Sequence, residues 1–170
     1  MEIIYYIYLN KDSVSQNLGY DNANLTEMRV FNNSLYISDS ISVWQIPITG
    51  EGVLGGQSEL VNLSADPNLS NCRISSFTFD EFGNIYLCLL HHPQYCLFFR
   101  ESDGSITPFY HDSSILPNTV EKLIWGNSRY LYLCSSSLAG ATAGTFASAR
   151  IYRMNMDRNG APYQGRKFLN

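Results

Sequence analysis

Side chains able to do chemistry are few in this chain, and their spacing narrows what they could do. His91 and His92 are adjacent, so in an extended segment their imidazoles point to opposite sides and cannot share a metal ion. The pair reads as a loop before Pro93. His111-Asp112-Ser113-Ser114 holds every residue type of a hydrolytic triad, but triads are assembled from separated positions, and contiguous residues of these types favour a hydrogen-bonded turn. Gly50-Glu51-Gly52-Val53-Leu54-Gly55-Gly56 has the glycine content of a phosphate loop without the Lys-Ser/Thr or the helix that would hold phosphate, so it reads as a flexible connection.

The four cysteines, Cys72, Cys88, Cys96 and Cys134, include no Cys-x-x-Cys pair and no histidine at zinc-finger spacing. Cys88 and Cys134 end the apolar runs Ile85-Tyr86-Leu87-Cys88 and Leu131-Tyr132-Leu133-Cys134, where a reduced thiol packs as a small hydrophobe. Both are expected to be buried and reduced, which points towards a reducing compartment. A hairpin centred on 91–94 would pair Cys88 with Leu97 and send the sulfurs of Cys88 and Cys96 to opposite faces, against a bridge between them. Asn-x-Ser/Thr sequons start at Asn24, Asn32, Asn62 and Asn68, as chance expects in an Asn- and Ser-rich chain. Trp44, Phe98 and Tyr152 recur at a spacing of 54 residues and are expected to pack in the core.

The elements that must position these groups show up as a repeat. The triplet aliphatic-Tyr-aliphatic occurs at Leu35-Tyr36-Ile37, Ile85-Tyr86-Leu87 and Leu131-Tyr132-Leu133, with the tyrosines 50 and 46 residues apart. An apolar run and a turn rich in Asn, Asp or Gly precede each triplet, as in a β-hairpin. Third and fourth runs follow, at 43–46 and 59–63, at 95–99 and 106–110, and at 150–154 and 163–169. Four antiparallel strands in a unit of this length match a propeller blade. The sequence thus predicts one all-β domain over 1–170, with three four-stranded blades at 25–63, 72–110 and 119–169 and an extra outer strand at 2–9. Residues 10–24 are expected to form a loop, as is the Ala/Gly/Ser/Thr-rich stretch 138–149. Long loops gather at one end of such a stack, where a binding site is expected.

Composition agrees. The chain has 170 residues, 45% hydrophobic and only 15% charged, with 11 basic against 15 acidic side chains, so neither nucleic acid nor an anionic membrane would find a basic surface on it. No apolar run approaches the ~20 residues that span a bilayer, and the apolar start lacks the basic region of a signal peptide.

Certain motifs resemble a known family. Asn24-Leu25-Thr26-Glu27-Met28-Arg29-Val30 followed by Leu35-Tyr36-Ile37-Ser38-Asp39 is similar to the opening of the senescence marker protein/gluconolactonase family. Leu116-Pro117-Asn118, Arg150-Ile151-Tyr152-Arg153 and Asp157-Arg158-Asn159-Gly160 resemble later stretches of it. Phe79-Asp80-Glu81-Phe82-Gly83-Asn84-Ile85-Tyr86 resembles a repeat of the wider NHL and strictosidine-synthase-like propellers. The resemblance implies half of a six-bladed propeller. It also implies a divalent cation such as calcium, with Glu27 and Asn118 at two ligand positions and Ser75 where a further Asn would stand. Two oxygen ligands fall short of the ~6 to 8 that calcium takes. Taken alone, Glu27 and Asn118 read as polar loop residues capping strand ends.

Three blades do not close a ring, since propellers have at least four. The leading expectation is therefore a non-catalytic binding or assembly module without a cofactor, completed as a homodimer or by a partner chain. A metal-dependent lactone hydrolase is the alternative that the resemblance implies, and a carbohydrate-binding lectin is a third reading.

Overall fold

The computed structural model describes residues 25–50, 53–110, 120–126, 128–137 and 148–161, together with the backbone of 6–8 and 13–15. Among these residues there is no α-helix, and all strand pairing is antiparallel. Strands β1 (Tyr6–Tyr8) and β2 (Ser13–Ser15) form a two-stranded hairpin. The stretch expected as a loop thus holds a short strand, and β1, inside the strand expected over 2–9, pairs with it.

Sheet one joins β3 (Glu27–Phe31), β4 (Ser34–Ser38), β5 (Ser42–Gly50) and β7 (Ser58–Asn62), with β6 (Val53–Leu54) added on the far end of β5. Part of the glycine-rich connection is therefore paired, where Gly55 N donates to Pro47 O. Sheet two orders β8 (Arg73–Phe79), β9 (Ile85–Leu90), β10 (Leu97–Arg100) and β11 (Ile106–Tyr110) as a four-stranded meander. Sheet three orders β12 (Lys122–Trp125), β13 (Tyr130–Ser137) and β14 (Ser148–Asn155). The fourth run expected for it, 163–169, lies outside the described residues, as do 138–147 of the expected loop.

The inner hairpins turn where the sequence supplies residues tolerant of positive φ. Asn32 and Asn33, at φ 44° and 55°, link β3 to β4 in two residues. Gly83, at φ 87°, completes the β8–β9 turn, in which the Asp80 carboxylate accepts the backbone N–H groups of Phe82 and Asn84.

The strands alternate so that both faces of sheet two are apolar. Phe77, Phe79, Ile85, Leu87 and Phe98 pack against Tyr36, Val43 and Val61 of sheet one. On the other face Tyr86, Cys88 and Leu97 meet Leu123, Trp125, Leu131 and Leu133 of sheet three. Sheet two is the filling of a three-sheet stack, and such dual burial contributes roughly 1.5–3 kcal/mol for each large apolar side chain. Sheet one buries Leu35, Ile37 and Ile46 on its first face with Leu25, Trp44, Ile48 and Leu54, but leaves Met28 and Val30 exposed. The outward face of sheet three leaves Ile124 and Ile151 exposed.

Two expectations about cysteine change. Cys88 is fully buried between sheets two and three, but Cys134, on the outward face of sheet three with Ile124 and Ile151, is only partly so. Cys88 and Cys96 both join the cluster between sheets two and three. Cys96 precedes β10, so the strict alternation of the strand does not extend to it. Burial raises the pKa of both thiols, Cys88 to about 12, which keeps them protonated and unreactive.

Candidate functional site

The first strands of the three sheets, β3, β8 and β12, lie side by side; β3 and β8 run in the same direction, since Glu27 meets Ser76 and Phe31 meets Phe79, and β12 begins beside Ser75 and Ser76. Register identifies equivalent positions on them. Glu27 faces Ser38, Ser76 faces Cys88 and Lys122 faces Cys134, each at the same distance from the Tyr of its triplet. These three equivalent side chains converge. Ser76 Oγ donates to Glu27 Oε2 at 2.9 Å, and Lys122 Nζ reaches the same oxygen at 3.2 Å. Ser76 Oγ in turn accepts the N–H of Leu123 at 3.1 Å.

The other carboxylate oxygen, Glu27 Oε1, accepts Arg29 Nη1 at 2.8 Å, and Arg29 Nη2 extends to the Leu123 carbonyl at 3.5 Å. The Lys122 ammonium uses its remaining protons on the carbonyls of Thr26, at 3.2 Å, and Ser75, at 3.4 Å. Oxygens from sheets one and two thus hold a cation from sheet three. Below the carboxylate, Thr26 Oγ1 and Ser38 Oγ share a hydrogen bond at 2.8 Å. Glu27 is 12% exposed while Lys122 is 52% exposed, so the cluster runs from the interior towards solvent. It can lock three sheets together, and it exposes no nucleophile.

Sequence reading finds Glu27 but misses Arg29, Ser76 and Lys122. Ser75 lies beside the cluster, yet its hydroxyl turns away to donate to the carbonyls of Cys88 and Val120. A register shift between Ile74 and Ser76 puts Ser76 at the equivalent position, and a count along the sequence cannot see such a bulge. Asn118 lies outside the described residues. The implied divalent cation does not fit Glu27 as it stands, because both carboxylate oxygens are engaged by side-chain cations and a hydroxyl. Among the described residues no group of three His, Cys, Asp or Glu side chains could hold a metal.

A second polar cluster sits at the opposite ends of the inner strands. Asp80 is fully buried. Its Oδ1 accepts Phe82 N at 3.0 Å and Asn84 N at 2.9 Å, while Oδ2 accepts Asn84 Nδ2 at 2.7 Å, Tyr86 Oη at 3.3 Å and Arg158 Nη1 at 3.3 Å. Burial, then the Asp80 charge, raises the Tyr86 phenol well above its ordinary value. Arg158 belongs to a strap that leaves β14 and returns to the turn of sheet two. Asn159 N and Nδ2 donate to the two oxygens of Glu81, Gly160 bridges Asp80, and Ala161 N donates to Phe79 O. Gly160 lies so close to Trp125 that a methyl group on it would overlap the indole.

The remaining candidates have plain structural roles. His92 Nδ1 accepts Tyr95 N at 3.0 Å and Gln94 N at 3.3 Å, its ring lies against Tyr95 and Phe98, and burial lowers its pKa. His91 takes φ 69° in the same turn. His111-Asp112-Ser113-Ser114 and the sequon at Asn24 lie outside the described residues. Asn32 and Asn68 are exposed, and Asn62 caps a short 3-10 turn by accepting Ser64 N. Phe98 is fully buried in the core, and Trp44 and Tyr152 pack partly buried against theirs.

A scan against protein-family models finds no match for this chain, and a search of curated proteins finds none either. The family resemblance thus rests on the motifs quoted above. Among the described residues no helix is long and apolar enough to cross a membrane.

Proposed function

We propose that this chain is a non-catalytic binding or assembly module, three blades of a propeller-type stack whose two terminal sheet faces receive a neighbouring chain. The observation that carries the reading is where large apolar side chains remain exposed. Of six such residues among the described ones, Met28 and Val30 lie on the first face of sheet one, and Ile124 and Ile151 on the outward face of sheet three. Single exposed apolar residues are ordinary, but pairs at both ends of a stack, on sheet one beside the buried Leu35, Ile37 and Ile46, mark interaction surfaces. Support for blades comes from the three antiparallel sheets and from first strands that lie side by side and join at equivalent positions. Support for a non-catalytic role comes from the axial cluster, whose carboxylate and ammonium are occupied with each other and with backbone carbonyls.

The competing reading is the metal-dependent lactone hydrolase implied by the resemblance. Melting in calcium and in chelator, together with a lactone hydrolysis assay, separates the two. The module is expected to melt at the same temperature in both media and to hydrolyse no lactone. A calcium-dependent rise in melting temperature, with hydrolysis lost in Glu27→Gln, would overturn the proposal.

A further inference from the structure

The occupant of the exposed Met28–Val30 edge and of the outward face of sheet three can be read from the two junctions already formed inside the chain. Tyr36 of sheet one lies against Phe79 of sheet two, with ring centroids 4.5 Å apart, and Tyr86 of sheet two lies against Trp125 of sheet three at 5.7 Å. Each junction sets the triplet Tyr of one sheet on the aromatic near the end of the next inner strand. Register places Tyr132 at the position of Tyr36 and Tyr86, opposite Ile124 where they face Arg29 and Thr78. Register also places Val30 at the position of Phe79 and Trp125. The halves of a third junction therefore exist on this chain, at opposite ends of the stack and separated by sheet two.

Charge favours the same pairing. The outward positions of β12, β13 and β14 carry no acid and two cations, Lys122, which is held by Glu27 of its own chain, and Arg153, whose guanidinium is stacked 4.7 Å over Tyr130 and is the one left to face a partner. On the first face of sheet one the charged strand residue is Glu59, exposed and opposite Trp44. We infer that this chain binds a second copy of itself, the Tyr132 face of each covering the Met28 and Val30 face of the other, so that two copies close head to tail about a twofold axis. The inference rests on the module reading and names its partner. Val30 and Met28 stand where the internal junctions have Phe79 or Trp125 and Phe77 or Leu123. The smaller Val30 makes a weaker junction, so the dimer dissociates on dilution.

Two single variants of exposed residues test this by complementation. Met28→Lys opposes Arg153 of the sheet-three face, and Ile124→Asp opposes Glu59. Each alone spoils both junctions of its homodimer. In an equimolar mixture one junction is entirely native, and the other brings the two new charges together with opposite sign. Light scattering across a hundredfold dilution is expected to show a wild-type dimer, two monomeric variants and a dimer in the mixture. Alkylation of Cys134 should slow as wild-type concentration rises. Melting of each variant checks that it is folded. A folded wild-type monomer at all concentrations, a folded mixture that stays monomeric, or masses growing past two copies would each overturn the closure. Those outcomes leave the calcium and lactone assays unchanged, so failure of the dimer and failure of the module reading are told apart.

Discussion

Replacing Asp80 by Asn changes one oxygen of a fully buried side chain into an amino group, and the geometry tells what that does. As a carboxylate, Asp80 accepts five hydrogen bonds and donates none. With the amide oxygen at Oδ1, the two backbone donors of the turn stay satisfied, but the amino group then faces Asn84 Nδ2, Tyr86 Oη and Arg158 Nη1. Asn84 can flip its amide and Tyr86 can rotate its hydroxyl to accept. Arg158 has no acceptor to offer and is left beside a donor. Hydrogen bonds to a charged group contribute roughly 1.5–3 kcal/mol, and breaking a buried ion pair from one side costs about 3–5 kcal/mol. Arg158 is 32% exposed and can relax towards solvent and Asp157, which trims the loss. A destabilisation of about 2–4 kcal/mol follows for Asp80→Asn, which for a chain of this size lowers the melting temperature by roughly 5–15 °C. Arg158→Ala leaves the Asp80 charge buried without its cation while its four other donors stay in place, so it should cost about 1–3 kcal/mol. Thermal and urea melts followed by circular dichroism measure both. An Asp80→Asn protein melting within about 1 °C of the parent would refute the view that this carboxylate organises the turn and the strap.

Gly160→Ala should be more harmful than a surface substitution, by about 1–3 kcal/mol, because the added methyl meets the indole where it joins its own backbone and Trp125 cannot swing away; an unchanged urea midpoint contradicts this. Acid should destabilise the protein through His92. Burial lowers its folded-state pKa, so the unfolded chain binds the proton more tightly, and stability falls as pH drops below the ordinary imidazole value of ~6.5. Urea midpoints taken from pH 7.5 to 5 should fall less steeply in His92→Gln, and parallel slopes would dismiss the effect.

Strands were readable because the signal was local. The aliphatic-Tyr-aliphatic triplets fall inside β4, β9 and β13, and the Asn32-Asn33 turn announces its own hairpin. The equivalence of Tyr36, Tyr86 and Tyr132 was legible for the same reason. The axial cluster was only partly legible. Its members lie up to 95 residues apart, and the bulge before Ser76 moves the count by one. Lys122 carries no motif around it, so only the convergence of three strands gives it a role. The strap was invisible because Asp157-Arg158-Asn159-Gly160 looks like any polar turn until its distant partners are known.

That strap also sets an order of events for the nascent chain. The Asp80 turn closes locally through Asn84, four residues on, but its fifth donor, Arg158, lies 78 residues downstream. Closing the longer loop costs about 2.5 kcal/mol more in chain entropy than closing the turn. During synthesis sheets one and two emerge complete while the Asp80 carboxylate still lacks its cation, and sheet three must be made before Arg158 can arrive. Pairing of that charge is therefore among the last contacts a growing chain can complete.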